Sequence, residues 1–166
     1  MMNMKQKKEL QLGEKQMQFK YDDGGRSDDF KGTTDDCVIR AIAIATGNPY
    51  KEVYNTLFQR TKDFAEKKKC KLAKKIKAKN LQSPRKGVFK KIYDAYLKEK
   101  GWVWVPTMQI GSGCTHHLKE NELPSGTIIC RLSKHLVTVI DGVIHDTYDP
   151  SRGGKRCVYG YYMKSK

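Results

Sequence analysis

The stretch Lys134-His-Leu-Val-Thr-Val-Ile-Asp-Gly-Val-Ile-His-Asp-Thr-Tyr-Asp149 allows few folds, because two apolar, β-branched runs flank an Asp-Gly pair. Leu136, Val137, Val139 and Ile140 make one strand, Asp141-Gly142 supplies the turn, and Val143 to Tyr148 return antiparallel. With a two-residue turn, His135 lies opposite Tyr148 and Val137 opposite Asp146, so that His135 and Asp146 are diagonal neighbours on one face. A three-residue turn, Asp141 to Val143, sets His135 opposite Asp149 instead. A slip of one residue exchanges the faces, and both registers stay open. Either way an imidazole opens the hairpin with a carboxylate in reach, and what the hairpin lacks is a nucleophile.

A nucleophile stands far upstream, in Thr33-Thr-Asp-Asp-Cys-Val-Ile-Arg-Ala-Ile-Ala-Ile-Ala-Thr-Gly47. Thr34, Asp35 and Asp36 are N-cap types, Cys37 to Thr46 is mostly apolar, and Gly47 suits a helix stop. With Asp36 as N-cap, Cys37 is the first residue of a buried helix. Its sulfur sits at the positive end of the helix dipole, and its N–H is one of the donors left without an intrahelical acceptor. One residue then offers both a thiol and an oxyanion donor, as cysteine acyl-transfer chemistry requires. The negative charges of Asp35 and Asp36 oppose a thiolate there unless they point away.

A Cys at a helix N-terminus, a distant His opening a strand and an Asp on the next strand follow the order that papain-like cysteine peptidases use, and the chain resembles them in this. Leu123-Pro-Ser-Gly-Thr-Ile-Ile-Cys-Arg-Leu-Ser-Lys-His-Leu-Val-Thr-Val139, followed by Asp149-Pro150, looks most like the bacterial C39-like branch. Almost the whole chain, from Tyr21-Asp-Asp-Gly-Gly-Arg26 through Thr107-Met-Gln-Ile-Gly-Ser-Gly-Cys114 to Arg156-Cys-Val-Tyr-Gly-Tyr161, is also similar to a group of small phage and bacterial proteins. The resemblance implies an α+β, papain-like fold in which an N-terminal helix bearing Cys37 packs on a C-terminal antiparallel β-sheet. It implies a Cys37, His135, Asp triad and no cofactor. Asp146-Thr147-Tyr148 resembles the Asn-Ser-Trp of papain, whereas Asp149-Pro150 resembles the Asp-Pro of the C39-like branch, so Asp146 and Asp149 are both candidates for the third member. Papain-like enzymes usually carry a Gln ahead of the Cys, and Phe30 to Asp36 contains none. The oxyanion then falls to backbone N–H groups, to the Thr33 or Thr34 hydroxyl, or to a side chain from elsewhere such as Gln109.

At 166 residues the chain suits one domain, here residues 31–166, preceded by an arm and loop over 1–30. No stretch approaches the ~20 apolar residues that span a bilayer. Met1 to Lys20 is Lys- and Gln-rich without the apolar core of a signal peptide, which predicts a mobile arm or short helix and a cytoplasmic protein, in a bacterial host if phage-encoded. Five Cys without regular spacing read as reduced thiols rather than a disulfide framework.

The net charge of +15 is uneven, since Arg60 to Lys100 holds sixteen Lys/Arg against four acids. Its centre, Lys67-Lys-Lys-Cys-Lys-Leu-Ala-Lys-Lys-Ile-Lys-Ala-Lys79, reads as a Lys-rich insertion at about 61–82. It is either a helix with a thin seam of Leu72 and Ile76 or a solvated excursion, and it attracts nucleic acid or another polyanion.

Between these landmarks, Pro49 opens a helix with Tyr50, Val53, Tyr54, Leu57 and Phe58 on one face. Ser83-Pro84 caps another whose apolar face is Val88, Phe89, Ile92, Tyr93, Tyr96 and Leu97. Trp102 to Pro106 is a short strand that Pro106 ends or places at an edge, and Thr127 to Leu132 is a strand feeding His135. Cys157 to Tyr162 closes the sheet. The segment Gly111 to His117 reads as a substrate-cleft loop. Its Cys114, His116 and His117 lack the second ligand pair of a structural zinc site, and Asp22, Asp23, Asp28 and Asp29 lack the spacing of a calcium loop, so no metal is expected. Cys70, Cys114, Cys130 and Cys157 are rival nucleophiles, His116 and His117 rival bases.

Function follows as an expectation: a cysteine peptidase or related thiol acyl-transfer hydrolase acting on a peptide or isopeptide bond of a protein or peptide substrate. The alternative is a non-catalytic basic protein that grips nucleic acid or an acidic host protein through Lys67 to Lys79.

Overall fold

Six strands form one sheet: β1 (Gln18–Tyr21), β2 (Trp102–Pro106), β3 (Thr127–Leu132), β4 (His135–Ile140), β5 (Val143–Asp146) and β6 (Gly160–Lys164), in the order β1-β5-β4-β3-β6-β2. The computed structural model describes residues 16–32 and 35–165. Residues 1–15 of the expected arm, and Thr33 and Thr34, lie outside them. Five α-helices accompany the sheet: α1 (Arg26–Asp29), α2 (Cys37–Thr46), α3 (Tyr50–Lys67), α4 (Lys71–Lys79) and α5 (Lys90–Glu99). The fold class is α+β. No helix among the described residues is long and apolar enough to cross a membrane.

The register of the β4–β5 hairpin is settled by its turn. Ile140 pairs with Val143 and Thr138 with His145, and Asp141 and Gly142 both take positive φ, 47° and 78°. These angles suit the two-residue hairpin loop, whose twist matches that of the flanking strands. Asp141 further accepts the Gly126 N–H at 2.8 Å and so ties the turn to the start of β3.

The sheet is mixed rather than antiparallel, because Gln18–Tyr21 runs parallel to β5 along one edge. All four β1 residues are exposed, so neither apolar alternation nor burial marks the strand. Backbone pairing to the open edge of β5, with Met17 buried just ahead of it, holds it in place.

Both faces of the central strands are covered, which is why β3 and β4 read as nearly continuous apolar runs. On one face Ile129, Leu136 and Tyr162 pack against Ile39 and Ile42 of α2, Leu57 of α3 and Leu97 of α5. On the other, Ile128, Cys130, Leu132, Val137, Val139 and Ile144 meet Met17, Leu118 and Val158. Helix α2 ends at Gly47, whose φ of 73° a side chain would strain. Thr138 in the middle of β4 donates to the Ala41 carbonyl at 2.6 Å and fixes α2 against the strand that begins with His135.

Several elements depart from the sequence reading. Helix α3 continues past its aromatic stripe to Lys67, into the stretch assigned to the Lys-rich insertion. The rest of that stretch contains α4, docked through buried Ala73 and Ile76, with Leu72 only half-buried. Ser83-Pro84 opens a 3₁₀ turn over Pro84–Lys86, and Gly87 at φ 103° separates it from α5, which starts at Lys90. Val88 and Phe89 therefore precede the helix instead of lining its apolar face.

The cysteines are not all free thiols. Cys114 and Cys157 form a disulfide with 5.9 Å between Cα atoms. Cys157 lies ahead of β6, in an isolated bridge with His117. Around it Val158 N–H donates to the His116 carbonyl at 2.9 Å and Leu118 N–H to the Arg156 carbonyl at 2.8 Å. This pairing brings together two sulfurs that linear spacing gave no reason to match.

Candidate active site

Cys37 opens α2, half-buried, with Asp36 at the N-cap position. The first helical bond runs from Arg40 N–H to the Asp36 carbonyl at 3.1 Å, so the N–H groups of Cys37, Val38 and Ile39 precede the ladder. The Asp36 carboxylate makes no capping bond. It turns inward, where it accepts from Arg26 Nη1 at 3.2 Å, from the Tyr50 hydroxyl at 2.6 Å and from Arg40 Nη1. Its charge is spent on two guanidinium groups instead of facing the sulfur. Asp35 is exposed at the rim of the Cys37 cleft.

His135 begins β4 and Asp146 ends β5. Their side chains, 7% and 3% exposed, meet with Nε2 2.6 Å from Oδ2. Asp146 is fully engaged, since Oδ1 accepts the Thr147 N–H at 2.7 Å and Arg40 Nη2 at 3.2 Å. Burial pulls the His135 pKa down, but the hydrogen bond to Asp146, interactions with the Cys37 sulfur and the negative charges of both outweigh it and raise the pKa to about 9. With Nε2 held by Asp146, Nδ1 is the nitrogen left for a thiol. The Tyr148 ring covers the imidazole with centroids 5.3 Å apart, its hydroxyl 3.5 Å from Nδ1.

Cys37 and His135 open onto one cleft of about 680 Å³. Its lining includes Val88, Phe89, Tyr93, Leu132, Leu136 and Tyr148. Neither Gln109 nor the Gly111 to His117 loop lines it. That loop is drawn away by its strand-like bonds to the segment before β6, and Gln109 instead bonds Ser112 through its backbone N–H at 3.0 Å.

Of the two carboxylates considered as orienters, Asp146 reaches His135 and Asp149 does not. Asp149 is exposed and accepts the Ser151 N–H at 2.9 Å, closing its own turn. Among the rival nucleophiles, Cys114 and Cys157 are joined to each other and Cys130 is fully buried, its pKa pushed up by desolvation. Cys70 stands at the N-cap of α4, where the Ala73 N–H above all, with Lys91 and further N–H groups of that turn, brings its pKa below the usual value against an opposing desolvation. It lines no part of the cleft. His117 has a carboxylate neighbour that the sequence pattern did not reveal, Glu122, with Nδ1 at 3.2 Å from Oε2.

Sequence reasoning missed Arg40, which bridges Asp36 and Asp146 and so links the Cys37 helix to the carboxylate that holds His135. Burial pulls its pKa down, and the two carboxylates hold it above the usual value. The signal was available: a lone cation in an otherwise apolar helix, four residues after Asp36. Among the described residues no group of His, Cys, Asp and Glu is arranged to hold a metal ion.

The chain matches no protein-family model, no curated protein and no solved structure.

Proposed function

We propose that this protein is a papain-like thiol acyl-transfer hydrolase of the C39-like kind, acting on a peptide or isopeptide bond through Cys37, His135 and Asp146. The observation that carries the reading is the convergence of Cys37 and His135 on one cleft with the imidazole clamped by a buried carboxylate at 2.6 Å. A structural cysteine at the head of a helix needs no such neighbour.

In this reading the Cys37 proton already rests on His135 Nδ1, giving the imidazolium that a His135 pKa of about 9 favours at neutral pH, and the paired thiolate adds to the substrate carbonyl carbon. The carbonyl oxygen becomes an oxyanion beside the Cys37 N–H, at the positive end of α2. His135 then gives the proton to the leaving amine, the C–N bond breaks, and a thioester remains on Cys37. Water, deprotonated by the same imidazole, releases the acid and restores the thiol. Asp146 keeps Nε2 protonated and Nδ1 facing the sulfur throughout, much as the carboxylate does in a Ser-His-Asp triad. A thiol-directed activity probe tests this. Labelling of the wild type that disappears in Cys37→Ala is expected, whereas equal labelling of both proteins, or none of the wild type, overturns it.

A second reading, polyanion binding, has its own observation. Helix α4 is ordered and presents Lys71, Lys74, Lys75, Lys77 and Lys79 to solvent while Ala73 and Ile76 anchor it. Such a face binds polyanions with strong salt dependence. Retention on heparin that is unchanged after neutralising the lysines from Lys67 to Lys79 refutes it.

A further inference from the structure

The cleft holds more positive charge than the proposed reaction uses. Among its lining residues Arg40 is committed to Asp36 and Asp146, while Lys90, Arg131 and Lys134 form no ion pair among the described residues, and Asp35 is the single carboxylate. Arg131 is the most constrained of the three. It is half-buried in β3, paired with Leu136 on one neighbouring strand and with Gly160 on the other. It lines the cleft together with Tyr93 and Cys37. Lys134 occupies the β3–β4 turn next to His135, and Lys90 opens α5 beside Phe89. A guanidinium in a partly dehydrated wall, without a carboxylate of its own, is costly unless an anion completes it.

We propose that the cleft selects acyl substrates with an acidic side chain next to the scissile bond, that is, an acidic peptide segment, with Arg131 binding the carboxylate and Lys134 and Lys90 adding to the field. The apolar wall of Val38, Val88, Phe89 and Leu132 accommodates the stem of such a residue. This specificity rests on the thiol acyl-transfer reading above. A bidentate guanidinium–carboxylate pair is directional, so a neutral amide of the same shape is the discriminating comparison.

The test uses three peptidyl acyloxymethyl ketones, Ala-Ala-Glu, Ala-Ala-Gln and Ala-Ala-Lys, on the full chain, with the rate of adduct formation at Cys37 followed by mass spectrometry. A charge-assisted contact of this kind predicts that the Glu probe reacts about tenfold faster than the Gln probe, and the Lys probe slowest. The Glu advantage shrinks as salt is raised. In Arg131→Gln the Glu-to-Gln ratio falls to about one, and Arg131→Glu favours the Lys probe, a reversal that mere loss of structure does not produce. Equal Glu and Gln rates in the wild type overturn the proposal whatever the variants do. If no probe marks Cys37, the thiol reading fails, and the carboxylate site is then read separately from binding of the three peptide amides to Cys37→Ala. Tighter binding of the Glu peptide supports the site, and equal binding overturns it.

Discussion

His135 Nε2 and Asp146 Oδ2 lie 2.6 Å apart, inside a hairpin whose two-residue turn sets that distance. The pair shapes the response to pH, because the His135 pKa stands at about 9 against an ordinary value of 6.5. A group whose folded-state pKa is raised lends stability that is complete below its unfolded pKa and disappears as pH rises through the folded one. His135 therefore stabilises the fold fully below about pH 6.5, and that contribution is lost as pH climbs toward 9. An NMR titration of the imidazole is expected to show a midpoint near 9 in the wild type. In Asp146→Asn the midpoint falls by a unit or more, since burial remains and the counter-charge does not. An unchanged midpoint contradicts the role assigned to Asp146.

His135 acts on catalysis as both base and acid in the proposed reaction. Its replacement by Ala is expected to lower the rate of probe labelling at Cys37 by about 10²- to 10⁴-fold, the usual scale for a positioned proton-transfer group. Asp149→Asn, which removes only an exposed turn contact, should leave the rate within about twofold, as surface changes generally do. A large effect of Asp149→Asn and none of Asp146→Asn would reverse the assignment.

Arg40 holds two buried carboxylates together, and its Nε has no hydrogen-bond partner among the described residues. Arg40→Met leaves Asp36 with Arg26 and the Tyr50 hydroxyl and strips Asp146 of its guanidinium, so a loss of about 3–5 kcal/mol is expected, typical of a broken buried pair. Urea denaturation measures it. A loss below about 1 kcal/mol, the range of surface pairs, shows that the network is not what braces the site.

Helix α4 is docked, not merely solvated, because Ile76 is fully buried. Ile76→Ala is then expected to cost about 2–5 kcal/mol, whereas in an unstructured insertion it costs close to nothing. Thermal or urea unfolding of the full chain distinguishes the two.

The Cys114–Cys157 bridge spans a sequence separation of 43 and constrains the unfolded chain accordingly. Loop-closure entropy sets an expected stabilisation of about 4 kcal/mol, less whatever structure the reduced chain retains. Cys157→Ser should lower the thermal midpoint under non-reducing conditions and leave it nearly unchanged in the presence of a reductant. Equal midpoints for wild type and variant without reductant show that the bridge does not form.

The sequence by itself determined the local pieces of the candidate site. Asp141-Gly142 dictates a hairpin, Asp36 and Gly47 delimit the helix that begins with Cys37, and Pro106 ends a strand at the sheet edge. Each is a short-range matter of φ preference or missing N–H groups, written within a few residues. Only the tertiary structure chose Asp146 over Asp149, because a carboxylate's partner depends on register and on how the strand end curls, not on its distance along the chain. It alone added β1, whose exposed side chains leave no periodic trace, and paired Cys114 with Cys157. It also turned Asp36 away from the sulfur toward Arg26 and Arg40. Those outcomes depend on charges and backbone edges far apart in sequence finding one another during packing, and local propensity carries no record of such long-range partners.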